Sequence, residues 1–590
     1  MDTALSFIPP DEPPASDQKN QAAALVSPIN RLPETVLESI FTLGFPPAYT
    51  ADHPSVCKNR MYLESTIIRV ISSVCRTWRQ VVISYPHFWA HPCFRRPVDD
   101  QKHLRFDHRS WLDIVITRSQ SAPIKVYVSS ESWKYLQGPQ EDALTASELE
   151  SAASSLRFLG STMDRWAHAF LEGPLLPGIT TYFPPAPGRF PLLGQLHLRP
   201  GDDSPLDPDP HYSGMLGGWQ GWAVEGAGFD CAPKLTHIKL SGCMRTSLST
   251  LRLPWHQLTT LIITLACQTT TPHILHILSV TSLLVHLTLE SAQAFHLPSA
   301  ESALTGDVQV VLPRLRSLHL GIPDDHWPPY RRGVHIAHLS HGFHFFSRSL
   351  HLPALEEASW DYSLIRVGPV VHGRMIEDFA TLLRTSTMGI STLRLSIGFE
   401  DCGDDLPYPG RRLPAPFASL VSSMLPTLCS FTLEVRELDW DDWSTIINLH
   451  RPGTVIDDVL QALSSPSRNH ESNSDHGTGL HEIHLHGGAT LRPQLLSKLV
   501  QSELQANGAP PSQRLLHLKD VWFFEEEPKD ALEIKSNFME VVDDLSLDDD
   551  PPDYYTQEMK EFLSLLKHQE HVDVSMEECK VAKHQARALS

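Results

Sequence analysis

The chain has 590 residues, of which 41% are hydrophobic, and a formal net charge of −21. This acidic balance argues against a general nucleic-acid binder, which neutralises phosphates with lysine and arginine. No run approaches the ~20 apolar residues of a membrane span, and Met1 to Asp17 has no basic start or apolar core of a signal peptide. Nine cysteines without a CxxC pair are typical of a reduced, intracellular protein of the cytoplasm or nucleus.

Residues 1–27 are rich in proline and polar side chains and are expected to be disordered. Two amphipathic helices are predicted within 28–95. The first begins at Pro33, because the first turn has no use for an N–H there, and carries Val36, Leu37, Ile40 and Phe41 at helical spacing. The second ends at Tyr85-Pro86 and carries Ile67, Ile71, Val74, Cys75, Trp78 and Val81. By pattern alone, this is a helical hairpin docked on its own domain.

The residues of the hairpin also resemble a known module. Leu32-Pro33, Val36-Leu37, Ile40-Phe41 and Val74-Cys75-x-x-Trp78 closely resemble the F-box, and Pro86-x-x-Trp89 resembles its continuation in fungal, basidiomycete-type F-box proteins. The resemblance implies docking on the Skp-type adaptor of a cullin–RING ubiquitin ligase. It implies an adaptor-binding surface of Leu32, Pro33, Val36, Leu37, Ile40, Phe41, Val74, Cys75 and Trp78. The link 42–65 is predicted as an inserted loop, longer than the usual link between F-box helices.

Residues 96–190 are predicted as a transition region that contains the first strands and helices of the solenoid predicted for the residues that follow. His108 to Arg118 is expected to be helical, and Ile124, Val126 and Val128 alternate in a strand. A polar helix is predicted from Glu141 to Asp164, followed by a strand through Leu171. The Arg118-Ser-x-Ser-Ala-Pro123 stretch and the Arg165-Trp166 pair also resemble segments that follow the F-box in the fungal group.

A frame of apolar-x-x-apolar-x-apolar, often introduced by proline, recurs through 191–524. Its first positions are Leu193, Leu235, Leu258, Leu284, Leu315, Leu355, Ile390, Leu428, Leu480 and Gln513. Each frame ends in a strand-length alternation, and such units bury their apolar faces only against their neighbours. The pattern predicts an irregular, leucine-rich-repeat-like α/β solenoid, because the intervals vary and the consensus Asn or Cys is nearly absent. The alternative is a large α/β domain with coincidental Leu-x-Leu strands.

Two further segments in this region, Phe229-x-x-Ala-Pro233 and Leu253-Pro-Trp-His-Gln-Leu258, resemble the corresponding region of fungal F-box proteins. Beyond the repeats, the strongly acidic segment 525–553 is predicted as a loop. Residues 554–590 are predicted as a C-terminal helix, Thr556 to His568, followed by a strand around Val572 and Val574 and a polar tail.

Histidine is abundant, with 32 residues, and six of these occupy outward positions of the predicted strands. Because strand side chains alternate, they should point away from the core. Solvated strand histidines are the simpler interpretation, and a recognition surface whose charge changes near the ordinary histidine pKa of about 6.5 is the alternative. The predicted client-binding surface consists of His197, His237, Lys239, His286, His319, Arg394, Glu482, His484 and His517.

The sequence contains no complete catalytic motif. In His481-Glu-Ile-His-Leu-His486, Leu485 stands where the zinc-protease motif needs histidine, and the segment alternates like a strand. The sequence has no G-x-S-x-G elbow, P-loop or G-x-G-x-x-G after a strand. Cys57 and Cys75 have no neighbouring ligands. Neither a metal, a cofactor nor enzymatic activity is therefore expected.

The main hypothesis is a substrate-recognition subunit of an SCF-type cullin–RING ubiquitin ligase. Its F-box-like helices would bind the adaptor, its solenoid would bind a client protein, and other subunits would supply catalysis. The alternative is an interaction scaffold whose helical cap packs on its own repeats and recruits no ligase. An enzyme with an unrecognised site is a third hypothesis. Exposure separates the first two, because a docking face is an apolar surface patch in the isolated protein.

Overall fold

The chain divides into two compact units, residues 1–172 with 188–193 and residues 173–187 with 194–590. The computed structural model describes residues 32–44, 68, 70–91, 93–95, 108–129, 154–172, 190–199, 229–242, 248, 251–265, 270–290, 295, 309–322, 332–363, 369–399, 415–437, 454–455, 457–464, 480–487, 489–491, 494, 496–499, 514–519, 522–525, 539–544, 564, 572–577 and 580–584. The predicted tail 1–27 lies outside these residues, as does most of the link 42–65. No described helix is long and apolar enough to cross a membrane.

Helix α1 (Glu34–Gly44) begins directly after Pro33, as predicted. The backbone N–H groups of Val36 and Leu37 both donate to the Pro33 carbonyl, at 3.0 and 3.1 Å. The helix continues to Gly44, so the first residues of the predicted inserted loop 42–65 are helical instead. The reason is local, since the apolar spacing of the helix extends to Leu43.

The second predicted helix is interrupted at Cys75, so the prediction of one continuous helix is wrong. Residues 70–74 are helical, Cys75 is extended, and a new helix α2 (Arg76–Ser84) follows. The Cys75 Sγ caps this helix by accepting the Trp78 N–H at 3.4 Å. Arg79 Nε donates to the Ser72 carbonyl at 2.8 Å, which bridges the interruption. As predicted, α2 ends before Tyr85-Pro86, where the turn Pro86–Trp89 begins.

One hydrophobic core joins these elements to a third helix, α3 (His108–Arg118), which was predicted at these residues. Leu37 and Phe41 of α1, Val81 of α2 and Val115 of α3 are all buried in this core. The Phe41 ring centroid lies 4.9 Å from that of Trp78. Burying a large apolar side chain contributes about 1.5–3 kcal/mol, so these contacts hold the first unit together.

The first unit also contains three short strands, β1 (Cys93–Arg95), β2 (Ile124–Ser129) and β3 (Trp166–Glu172), each parallel to the next. The strands predicted at Ile124 and through Leu171 are therefore confirmed. Of the predicted polar helix, the described residues 154–160 are helical. Arg165, five residues after this helix in sequence, donates to Ser119 Oγ at 2.7 Å and to the Ala122 carbonyl at 2.9 Å. The Arg118–Pro123 stretch, which precedes β2, is therefore hydrogen-bonded to Arg165, which precedes β3. These bonds fix β2 against β3.

The second unit is built on a parallel sheet, and all of its strands except the last were predicted from the repeated frame. In spatial order these strands are β4 (Gln195–Arg199), β5 (His237–Gly242), β6 (Thr260–Leu265), β7 (His286–Glu290), β9 (Ser317–Ile322), β11 (Glu357–Ser363), β12 (Thr392–Phe399), β13 (Ser430–Glu437), β15 (Glu482–Gly487), β17 (Arg514–Lys519) and β20 (Val572–Glu577). We call it the main sheet. The first frame residue is buried wherever it is described, from Leu193 to Leu480, and the α/β class is confirmed.

One hydrogen-bond arrangement recurs just before successive strands of the main sheet. The Thr236 carbonyl accepts the N–H groups of Thr259 and Thr260, at 2.9 and 3.1 Å. The Glu356 carbonyl likewise accepts those of Ser391 and Thr392, at 2.8 and 3.2 Å. Because each unit donates to the preceding one, strands stay in register even though the connections differ in length.

Helices between the strands bury the apolar side of the main sheet. They are α4 (Thr271–Val280), α5 (Arg332–Ser349), α6 (Pro369–Leu383), α7 (Ala415–Met424) and α8 (Asp457–Ser464). Trp360 of β11 stacks on Phe343 of α5 at 5.6 Å and contacts Phe379 of α6 at 4.6 Å between ring centroids. The strand side chains alternating with these buried residues lie on the other face, which we call the open face.

Smaller sheets complete the second unit. Strands β8 (Val310–Val311) and β10 (Leu350–His351) form one parallel pair. The other sheet has the order β14 (Thr454–Val455), β16 (Ala489–Leu491), β18 (Trp522–Glu525), β21 (Lys580–His584), β19 (Met539–Asp544).

Two C-terminal predictions need correction. The predicted acidic loop 525–553 contains β19, and the predicted polar tail contains β21. Their antiparallel register pairs Glu540 with Lys583 and Asp544 with Lys580, and opposite charges across a strand pair are favourable. Strand β20 confirms the strand predicted at Val572. Of the predicted helix 556–568, only the helical residue Ser564 is described.

Candidate functional site

Helix α1 carries an exposed apolar stripe. Val36 and Ile40 are each 40% exposed and Leu43 is 85% exposed. Their spacing of four and three residues puts them on one side of the helix, and we call these three residues the α1 face. Leu37 and Phe41 lie about a quarter-turn away and are buried in the core. The same short helix therefore closes its own unit with one side and presents aliphatic side chains to solvent with another.

The helical residues before Cys75 present a second apolar pair. Val70 is 57% exposed and Val74 is 53% exposed, and their spacing places both on one side of the turn. Between them, Ile71 is partly buried against the core. Large aliphatic side chains left in solvent on both helical segments suit an external partner better than an internal one.

The predicted adaptor-binding residues divide into three groups in the structure. Pro33, Val36, Ile40 and Val74 are exposed, Leu32, Cys75 and Trp78 are partly buried, and Leu37 and Phe41 are buried. The assignment of Leu37 and Phe41 to a binding surface therefore needs correction, because both pack inside the first unit. Sequence reasoning missed Leu43 and Val70. The signal was present, since Leu43 follows Ile40 by three residues and Val70 precedes Val74 by four.

The Pro86-x-x-Trp89 motif has a structural role. Trp89 is buried and its Nε1 donates to the Val82 carbonyl at 2.7 Å. The Arg118 guanidinium carbon lies 4.4 Å from the centroid of the Trp89 ring, a distance typical of a cation–π contact. Trp89 thus ties α2 to α3 and supports the helices that carry the exposed aliphatic residues.

On the open face, strand register aligns the predicted client-binding residues in two rows. One row contains His237, His286 and Glu482, and the other contains His197, Lys239, His319, Arg394, His484 and His517. The residue that follows each of them in sequence is buried, and this alternation places their side chains on the open face. Four are exposed, His237, His286, Arg394 and Glu482, and four are partly buried, Lys239, His319, His484 and His517.

His197 is the exception and needs correction, because it is buried. Its Nε2 lies 2.6 Å from Ser241 Oγ on the open-face side of β5. Burial, followed by the nearby positive charges of Lys239 and Arg199, holds the pKa of His197 well below its usual value of 6.5. Protonation would place a charge in a site with little water. His197 therefore serves the packing of β4 on β5 and offers no exposed binding group.

His319 links three strands. Its Nε2 lies 3.2 Å from Glu290 Oε1 on β7, and its Nδ1 lies 3.0 Å from Ser359 Oγ on β11. Gly321 permits the first contact, because a Cβ at that position would lie 2.8 Å from Glu290 Cγ. The absence of a side chain at Gly321 lets Glu290 lean across β9 toward the histidine.

Three histidines cluster near the C-terminal end of the main sheet. The ring centroids of His484, His486 and His517 lie 5.1 to 5.9 Å apart. Burial is the main cause that lowers the pKa values of His484 and His486, and the neighbouring histidines add to it. His486 was missed in the sequence, although its alternation with His484 puts both on one strand face. Within the described residues, no group of three or more His, Cys, Asp or Glu side chains is arranged to hold a metal ion.

Comparison with known proteins assigns no family to this chain. No protein-family model matches the chain, and a search among curated proteins finds no significant relative.

Proposed function

We propose that this chain is the substrate-recognition subunit, an F-box protein, of an SCF-type cullin–RING ubiquitin ligase. In this proposal the first unit binds the Skp-type adaptor and the leucine-rich-repeat-like second unit binds a client protein. The ligase chemistry belongs to other subunits, and this chain contributes proximity.

The α1 face is the observation that carries the proposal. A helix of 11 residues that already buries Leu37 and Phe41 has no internal need for exposed Val36, Ile40 and Leu43. These side chains belong to the segment whose residues resemble the F-box. An adaptor that covers them would gain roughly 25 cal/mol for each Å² of apolar surface removed from water.

The open face of the main sheet supports the client-binding part. It presents exposed His237, His286, Arg394 and Glu482 at defined strand positions. The register fixes which of these side chains are neighbours, and a parallel sheet of this kind offers a rigid surface. Mixed charge on such a surface favours discrimination between protein partners over general attraction to an acidic polymer.

Adaptor binding by the full chain tests the proposal. Replacing Val36 and Ile40 together by Asp should weaken binding to a purified fungal Skp-type adaptor by at least about 100-fold, since an interface would have to bury two unpaired carboxylates. The matched control replaces Thr35 and Ser39 by Asp, which adds the same charges at the same spacing on exposed positions of the same helix. The control should bind within about twofold of the native chain. Failure of the native chain to bind, or equal binding by both variants, would reject the adaptor role.

A specific observation favours a second candidate, a protein-interaction scaffold that recruits no ligase. Two of the strongest residues of the motif, Leu37 and Phe41, are buried within the first unit, as they would be in a purely structural cap. A scaffold of this kind would bind its protein partner through the main sheet and would not bind the adaptor, so the same binding experiment separates the two candidates.

A further inference from the structure

Three side chains on the open face lie in the order serine, histidine, carboxylate. The Ser359 Oγ lies 3.0 Å from His319 Nδ1, and Glu290 Oε1 lies 3.2 Å from His319 Nε2. Their strands β11, β9 and β7 are neighbours in the main sheet. Buried Ala358 and Trp360 flank Ser359 in sequence, so its hydroxyl is on the open face. We call Glu290, His319 and Ser359 the serine triad.

The carboxylate determines which nitrogen of the histidine carries the proton. Because a carboxylate only accepts hydrogen bonds, Glu290 favours the neutral ring with its proton on Nε2. Nδ1 is then an acceptor, and the Ser359 hydroxyl donates to it. Either ring nitrogen can act as a base while an acid holds the other. His319 can therefore take the serine proton as the oxygen attacks, and Glu290 stabilises the imidazolium that forms.

Two other serines on the open face have different partners. Ser241 Oγ lies 2.6 Å from His197 Nε2, but His197 is buried and lies near the positive charge of Lys239. Ser430 donates directly to Glu482 at 3.1 Å, so no histidine stands between hydroxyl and carboxylate. These serines do not share the order of the serine triad, and they provide an internal comparison.

The serine triad is accessible to a small molecule. The side chains of His319 and Glu290 are 27% and 41% exposed, and Ser359 is partly exposed. Gly321 adds no side chain beside them, where a Cβ would lie 2.8 Å from Glu290 Cγ. The Glu290 carboxylate would repel a negatively charged substrate. The substrate class that fits is a neutral carboxylic ester.

Arg394 of β12 supplies a positive charge next to the serine. It is the direct register partner of Ser359, and its side chain is 56% exposed and contacts Glu434 through NH2. A guanidinium has five N–H donors, so donors remain for a substrate oxygen. The backbone of β11 is paired with strands on both sides and offers no oxyanion hole. Loss of one such donor costs about 100- to 1,000-fold in rate, so slow turnover is expected.

We propose that the serine triad hydrolyses neutral carboxylic esters through an acyl-serine intermediate. The Ser359 Oγ forms a bond to the ester carbonyl carbon while its proton passes to His319 Nδ1. The bond from this carbon to the alcohol oxygen then breaks, and the leaving oxygen takes the proton. Water attacks the acyl group in the same way, which releases the acid and restores the serine. This activity goes beyond the proposed function and does not depend on it.

Covalent labelling of the purified full chain tests this activity. The first probe is an alkyl fluorophosphonate, whose fluoride is displaced by an activated serine oxygen. Peptide mass spectrometry should find the adduct on Ser359 in the folded chain and not in the chain unfolded in urea. The second probe is p-nitrophenyl acetate, a neutral ester, which should give an initial burst of about one p-nitrophenolate per chain followed by slow turnover.

Three variants and a control make the test specific. Ser359→Ala should form no adduct at this position and show no burst. His319→Gln keeps a polar side chain between the two strands but cannot take a proton, and labelling should slow by at least about 100-fold. Glu290 is a positioning residue, so Glu290→Gln should lower kcat about tenfold or more and leave KM within about twofold. The control Ser430→Ala, on the same face, should react like the native chain.

Several results would overturn the inference. They are no adduct on Ser359 in the native folded chain, labelling of His319→Gln at the native rate, equal labelling of Ser359 and Ser430, and ester hydrolysis that is the same in Ser359→Ala. Because the native chain alone must carry the adduct on Ser359, the inference stays falsifiable if a variant does not fold. The experiment contains no adaptor, so its failure is distinct from failure of the ligase proposal.

Discussion

The α1 face and the open face of the main sheet differ in what their side chains contact. On the open face, several polar groups bind a neighbour across the strands, as His319 does with Glu290 and Ser359. On the α1 face, Val36, Ile40 and Leu43 are left in water while the adjacent side of the helix is fully packed. Polar side chains on one face of a sheet can form hydrogen bonds with each other. Exposed aliphatic side chains are removed from water only when another surface covers them.

The largest expected effect is on the free energy of unfolding, which should respond differently to substitutions on the two sides of α1. Phe41→Ala should lower the free energy of unfolding of the first unit by about 3–5 kcal/mol, because it leaves a cavity against Trp78. Ile40→Ala, at the exposed neighbouring position, should change it by less than about 1 kcal/mol. Urea unfolding followed by tryptophan fluorescence measures both. Similar losses in the two variants would show that the α1 face is packed and not free.

The next effect concerns His197, the buried member of the predicted client-binding set. Its pKa is well below 6.5 in the folded protein and about 6.5 in the unfolded chain. Below pH 6.5 the unfolded chain therefore gains a proton that the folded chain does not. The stabilisation from neutral His197 is fully present above pH 6.5 and is lost as the pH falls toward the folded pKa.

The variant His197→Gln tests this linkage, since glutamine can still bond Ser241 but does not titrate. Between pH 7.5 and 5.5 the native chain should lose about 1.4 kcal/mol more of its unfolding free energy than the variant. Urea midpoints at the two pH values provide the measurement. An identical acid sensitivity in the two proteins would mean that His197 is protonated in the folded state.

The smallest effect is expected for a charge pair on the open face. Arg394 and Glu434 lie 3.2 Å apart, with side chains 56% and 24% exposed. Solvent screens such pairs, so a double-mutant cycle with Arg394→Met and Glu434→Gln should give a coupling energy of about 0.2–1 kcal/mol. The coupling should shrink in 0.5 M salt. A value above about 2 kcal/mol would indicate that this part of the open face is shielded from water.

Repetition explains how much of the fold could be predicted. In the frames from Leu235 to Leu480, the first residue is buried in the core each time. The reason is that each stacked strand has to bury an apolar side chain at this position against its neighbours. The interruption at Cys75 was not predictable from spacing, because Val74 and Trp78 fit a continuous helix equally well. Strands β19 and β21 were missed since an acidic and a basic polar segment become a strand pair only when they meet.

The candidate site was predicted less completely, because periodicity identifies a helix but not the side that is covered. Leu37 and Phe41 were grouped with Val36 and Ile40, and packing from α2 and α3 decided which pair is buried. His197 has the same position in its frame as His319, yet Ser241 and its surroundings bury it. Neither outcome is encoded in the local pattern.

Photocrosslinking from α1 tests the central claim most directly. A photoreactive amino acid at position 43, where Leu43 is 85% exposed, should crosslink to the Skp-type adaptor when the full chain and adaptor are mixed. The same group in place of the exposed Thr42, about a quarter-turn away on the helix, should crosslink much less. Strong crosslinking from position 43 alone is the result that we expect. Crosslinking from neither position, or equally from both, would contradict adaptor docking through the α1 face.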